Sequence, residues 1–150
     1  KKARALAIDT GKRIATGILY RNEDVPNFYE RCVPRQGKTT TLASLIDIIN
    51  RKCDKHIITI EDPVEYIHKT HKSLITHKNL NIHIKDYNAA LLSAMREDPD
   101  VILVGELRDP ISIQTAITAS ETGHLVLGTL HTAAVIQTIE RLVNTFPPSV

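Results

Sequence analysis

The segment Val101-Ile102-Leu103-Val104 is apolar at every position and ends in Gly105-Glu106. A strand with one wet face alternates apolar and polar residues. A strand with no polar alternation is covered on both faces, as in a parallel sheet buried by its helical crossovers. His56-Ile57-Ile58-Thr59-Ile60 reads as a short buried strand, ended by Pro63, and Leu125 to Leu130 as another strand. Helical patterns lie between these strands. Thr39 to Asn50 places Leu42, Leu45, Ile46 and Ile49 on one face, and Asn88 to Met95 is expected to turn Leu91, Leu92 and Met95 inward. Asp109 is suited to cap a helix with Pro110 in its first turn, running to about Ala119. A last helix is expected from Ala133 to Val143, closed by Pro147-Pro148. This alternation predicts an α/β fold with a mostly parallel sheet and flanking helices.

Two stretches are less regular. Residues 68–86 are polar and rich in His, Lys and Asn, and are expected to form a long excursion with short strands. Residues 1–36 contain a possible helix from Ala3 to Ile8, the apolar Ile18-Leu19-Tyr20, and a charged, irregular run from Arg21 to Arg35. They read as an atypical N-terminal segment ahead of a domain spanning 37–150.

Composition narrows the function classes. With 19 basic and 17 acidic residues the net charge is +2, too balanced to argue for nucleic acid or anionic lipid as a partner. Aromatics are 4% of the chain, which disfavours a stacking platform for single strands. Cys32 and Cys53 form neither a metal spacing nor a disulfide framework, as expected for a reducing cytoplasm. No apolar run approaches the length of a transmembrane segment, and Lys1-Lys2 has no long apolar stretch behind it.

The chemistry-bearing residues fall at the ends of the predicted strands. Gly37-Lys38-Thr39-Thr40 opens the first long helix and matches the second half of the phosphate-loop pattern. Gly37 lets the backbone approach an anion, Lys38 reaches terminal phosphates, the Thr39 hydroxyl can hold Mg²⁺, and the helix start offers free N–H groups. The first glycine of that pattern is replaced by Cys32, and Arg35 adds bulk beside it. Glu61-Asp62-Pro63-Val64-Glu65 places carboxylates at the end of one strand, where an open α/β sheet forms its ligand crevice. Glu106 stands at the tip of another, the arrangement of an acid that orients and activates attacking water beside a metal-bound phosphate. His124 and His131 bracket the strand from Leu125 to Leu130, and a histidine at each end is placed to sense phosphate charge. His56, His68, His71, His77 and His83 lack Cys or acidic ligands at a fixed spacing, which argues against a histidine metal centre.

Taken together, these motifs resemble the secretion and type IV pilus ATPase superfamily, most of all its pilus-retraction branch. Glu61 to His68 looks like that family's Asp box, Arg96 to Asp109 like its Walker B region, and Glu121 to Thr132 like its His box. Thr129 ahead of Leu130-His131-Thr132, and the continuation Tyr66-Ile67-His68, are similar to the retraction branch rather than to the assembly branch. The resemblance covers roughly 37–148 and implies a RecA-like P-loop NTPase core, incomplete in this chain. It further implies a homo-hexameric motor that uses ATP and Mg²⁺ and serves twitching motility. Such a motor is cytoplasmic and peripheral to the inner membrane through a pilus platform protein. In that reading Gly37, Lys38, Thr39 and Thr40 bind nucleotide, Thr39 and Glu106 serve the metal, and Glu106 and Glu61 are catalytic. His124 and His131 form the His-box pair.

The departures from the family pattern are Cys32-Val33-Pro34-Arg35-Gln36 in place of a glycine-rich loop, and Lys78 where an arginine is expected. The resemblance also places an N-terminal PAS-like domain and a region beyond the His box outside this chain, so a complete site is expected to need groups from elsewhere. A reading-frame slip or a remnant linker would account for 1–36. The alternative function is a degenerate, non-hydrolysing member that binds nucleotide weakly or supports a ring. A small metabolite kinase is disfavoured because 107–148 holds only Arg108 and Arg141 for a lid.

Overall fold

The structure is a computed structural model and describes residues 6–9, 14–16, 38–80, 86–131 and 135–146. In chain order the elements are β1 (Leu6–Asp9), β2 (Ile14–Thr16), α1 (Lys38–Lys52), β3 (His56–Glu61), β4 (Leu74–Asn79), α2 (Tyr87–Ala94), β5 (Val101–Val104), α3 (Pro110–Glu121), β6 (Leu125–Thr129) and α4 (Val135–Val143). They build one sheet of order β2-β1-β6-β5-β3-β4. All neighbours are parallel except β1 and β2. The predicted α/β architecture of a mostly parallel sheet with flanking helices is therefore the observed one.

Side-chain parity divides the core. Ile58, Ile60, Ile102, Val104 and Val126 pack with Leu91 and Ala94 of α2 and with Ile113 and Ala116 of α3. Ile57, Val101, Leu103 and Leu127 face the other way and pack with Leu42 and Ile46 of α1. Alternate residues of each strand thus meet helices on opposite faces. This is why β5 is apolar throughout, with Val101 to Val104 all buried. Each fully buried Ile or Leu contributes about 1.5–3 kcal/mol relative to exposure.

Helix boundaries follow the expected chemistry. Asp109 caps α3 by accepting from the Ser112 backbone N–H at 2.8 Å, with Pro110 in the first turn. Asp86 caps α2 by accepting from the Ala89 N–H at 2.7 Å.

Three expectations need correction or refinement. Over its described part the possible helix from Ala3 to Ile8 does not hold: Leu6–Asp9 is a strand, pairing in parallel with β6 from Leu6↔Val126 to Asp9↔Thr129, and Ala3 to Ala5 lie outside the described residues. Helix propensity in an Ala- and Leu-containing segment is a weak local preference, and the unpaired edge of a buried strand outweighs it. Leu92 does not face inward but is 46% exposed, whereas Leu91 is fully buried. Among its described residues, the excursion at 68–86 contains one regular strand, β4, added at the edge beside β3. Ile18-Leu19-Tyr20 and the run from Arg21 to Arg35 lie outside the described residues, as do Ala133 and Ala134 of the last predicted helix.

Candidate functional site

In a parallel sheet the carboxyl ends of all strands lie on one edge. On that edge the odd-numbered residues Glu61, Gly105 and Thr129 share the α1-facing parity of Ile57, Leu103 and Leu127. The strand ends are stitched together. The Gly105 N–H donates to the Ile60 carbonyl at 2.8 Å, the Leu107 N–H to the Thr129 carbonyl at 2.9 Å, and the Thr129 hydroxyl to the Gly105 carbonyl at 2.5 Å. Gly105 is where a side chain does not fit easily: an added Cβ would lie 3.3 Å from the Ile60 carbonyl oxygen and 3.4 Å from Glu61 Cγ.

These ends and the first turns of α1 enclose a cleft of about 330 Å³, within the range of small-ligand sites. Thr39, Glu61, Glu106 and His131 all line it. So do Glu65, Tyr66, His68, Tyr87 and Thr129. The structure thus brings together one member of each predicted motif.

Glu61 is only 6% exposed. Burial holds its carboxyl above the ordinary carboxylate range, partly offset by the Thr59 hydroxyl, the Glu65 backbone N–H and the nearby His77. Glu106 lies just past the tip of β5. Its Oε2 is 2.6 Å from Arg108 Nε and its Oε1 is 3.4 Å from His131 Nε2. Tyr87, at the start of α2, is pushed up to about 12 by burial and by the charges of Asp62 and Glu106. The Asp62-Pro63 peptide is cis. Thr40 does not line the cleft; its hydroxyl lies 3.3 Å from that of Tyr66, tying the Asp-box loop to α1.

Other predicted positions lie elsewhere. His124 is at the opposite end of β6, seven residues from His131 and so roughly 20 Å along the strand. Its Nδ1 meets the Ala119 carbonyl at 2.9 Å and the Thr122 hydroxyl at 3.2 Å, at the end of α3. Lys78 is paired with Glu97, away from the cleft. Gly37 and the side chain of Lys38 lie outside the described residues. Among the described residues no group of three or more His, Cys, Asp or Glu side chains is placed to hold a metal. No described helix is long and apolar enough to cross a membrane.

Sequence reasoning did not single out Thr129 and Tyr87 as cleft residues. Strand parity would have found Thr129, two residues after Leu127. Nothing local marks Tyr87, because its place depends on how α2 docks.

The type II/IV secretion system protein family matches residues 36–146. The chain belongs to that family. Within it, a twitching motility protein of Neisseria gonorrhoeae is 56% identical over 111 residues, covering 74% of this chain and 30% of the relative. The type IV pilus retraction ATPase PilT of Pseudomonas aeruginosa is 50% identical over 111 residues, covering 74% and 32%. A crystal structure of the pilus retraction motor PilT with bound ADP superposes with a TM-score of 0.73 at 52% identity, covering 77% of this chain and 34% of that one. The chain therefore spans about a third of the length of these relatives. The family match begins one residue before Gly37, so the irregular segment expected at 1–36 lies almost wholly ahead of it.

Proposed function

We propose that this chain is part of an ATP-hydrolysing motor subunit of the type IV pilus retraction kind. The observation that carries the reading is the cleft in which the first turn of α1 faces Glu61 and Glu106 across the carboxyl ends of β3, β5 and β6. The likeness to a retraction motor that binds ADP supports the same reading.

The donor set suits a magnesium nucleotide. Glu61, Asp62, Glu65 and Glu106 all line the cleft, so a bare polyphosphate would be repelled and a metal-complexed one accepted. The Thr39 hydroxyl and the Glu106 carboxylate are hard oxygen donors. Mg²⁺ is commonly held by one or two protein oxygens together with phosphate oxygens, so no larger ligand cluster is needed. When bound, Mg²⁺ would offset phosphate charge. The chain's own residues do the rest. The α1 N-terminus and Lys38 bind phosphate, and Thr39 contributes its hydroxyl. Glu106 accepts a proton from the attacking water once Arg108 yields its oxygen. His131, on the far side of Glu106, responds to the charge that develops there.

By the same reading the working form is a homo-hexamer in the cytoplasm, docked to an inner-membrane pilus platform protein and moving no nucleic acid. A degenerate, non-hydrolysing subunit is the second reading. It is favoured by Cys32 and Arg35, which stand where the phosphate loop needs a compact backbone. Titration with a labelled ATP analogue, together with a phosphate-release assay, separates the two. Saturable, Mg²⁺-dependent binding with phosphate release, both lost in Lys38→Ala, supports the motor, and weak or absent binding without phosphate release assigns the degenerate role.

A further inference from the structure

Glu61 is the most buried carboxylate of the cleft, and one face of β3 and β4 explains how its orientation is held. Thr59 and His77 are directly paired across these parallel strands, and Thr59 and Glu61 lie two residues apart on the same face. The His77 ring touches a partner at each nitrogen. Nε2 lies 3.3 Å from the backbone nitrogen of His68, and Nδ1 lies 2.8 Å from the Thr59 hydroxyl. A backbone N–H only donates, so Nε2 must be the unprotonated, accepting nitrogen. The neutral ring then carries its proton on Nδ1 and donates to Thr59. Accepting from His77 leaves the Thr59 hydroxyl its own proton to give, and Thr59 partly offsets the rise that burial imposes on the Glu61 carboxyl, two residues along on the same face of β3. The ring of His68 stacks on that of His77, with centroids 5.9 Å apart and planes 12° from parallel, which fixes the imidazole plane.

We propose that Thr59 and His77 are positioning residues for Glu61, forming a directed relay (His68 N–H to His77, His77 to Thr59, Thr59 to Glu61) that aims the carboxylate into the cleft. Neither side chain lines the cleft, so both act through Glu61. The proposal rests on the reading of that cleft as an ATPase site, where a carboxylate misaimed by an ångström loses most of its effect. It also assigns a role to the Asp-box histidine: the backbone of His68 sets the tautomer of the whole chain of bonds.

Two measurements on the full chain test it. The first is the imidazole NMR spectrum of His77, which does not depend on activity. A protected proton on Nδ1 that is lost in Thr59→Val supports the relay; a proton on Nε2, or a signal indifferent to Thr59→Val, overturns it. The second is steady-state ATP turnover. His77→Leu and Thr59→Val are expected to lower kcat roughly 10–100-fold, the usual cost of removing a supporting hydrogen bond at a metal-dependent site. KM for ATP should change by less than about twofold. Thr59→Ser retains the hydroxyl, and His77→Gln retains one donor and one acceptor, so both should keep near-normal turnover. Wild-type turnover in His77→Leu would overturn the relay. A parent chain that does not hydrolyse ATP would count against the proposed function, and the imidazole spectrum would still decide the relay.

Discussion

Arg108 and Glu106 form an ion pair across two residues, with Nε 2.6 Å from Oε2, just past the end of β5. Arg108 is largely exposed, with 69% of its side chain accessible, and Glu106 retains only 20%. The backbone carbonyl of Arg108 accepts in turn from the guanidinium of Arg141, linking the β5–α3 loop to α4. The pair therefore sits where a change in α4 can be felt by the acid at the tip of β5. A pair with so exposed a guanidinium is screened by solvent and contributes little to stability, so it can open without threatening the fold.

Glu106→Gln is expected to abolish the proton transfer, while its amide oxygen still offers the metal a neutral donor, so that nucleotide binding weakens without being lost. Turnover should fall by about 10²–10⁴-fold, the usual contribution of a general base. Unfolding free energy from urea denaturation should stay within about 1 kcal/mol of the parent, because the lost partners are solvent-exposed. Equal activity of the variant and the parent would remove Glu106 from the mechanism.

Glu61→Gln should be more stable than the parent near neutral pH. Burial raises the Glu61 value in the folded state above its unfolded value. The folded state therefore holds the proton more tightly. The stability associated with that proton is present below the unfolded value of 4.5 and is lost as pH rises through the higher folded value. Gln carries no charge to desolvate. The variant should be the more stable of the two at about pH 8, and this difference should vanish at about pH 4. Denaturation curves at the two pH values check this, and a pH-independent difference would contradict the linkage. Turnover of the same variant should fall, a trade of function against stability at a buried charge.

Leu91 and Leu92 are adjacent on α2 but differ in environment. Leu91→Ala should cost about 2–5 kcal/mol, because its side chain is fully enclosed and the vacated space cannot collapse completely. Leu92→Ala should stay within about 0.5 kcal/mol. Thermal melts of the two variants check the orientation of α2, and similar losses in both would contradict it.

The sheet, its helices and most of the cleft were legible in the residues because they rest on local patterns. Apolar runs at 101–104 and 125–127, and the Ile-rich 57–60 broken only by Thr59, require cover on both faces, and the helical spacing of Leu42, Ile46 and Ile49 supplies part of that cover. Asp109-Pro110 announces a helix start whatever the surroundings. Acids placed at strand ends, Glu61 and Glu106, meet on one edge because parallel strands have no other arrangement. The strand at Leu6–Asp9 was not legible, since its identity comes from hydrogen bonds to β6 more than a hundred residues away. The Leu91/Leu92 distinction was also hidden, because two neighbouring leucines on a short helix both suit an apolar face until docking chooses one. Local spacing gave His124 and His131 equal standing, but strand direction puts only His131 in the cleft. The tautomer of His77 and the pairing of Arg108 with Glu106 likewise belong to the folded molecule alone. Periodicity sets which face of an element is apolar; only packing between distant segments sets which polar atoms come within bonding distance.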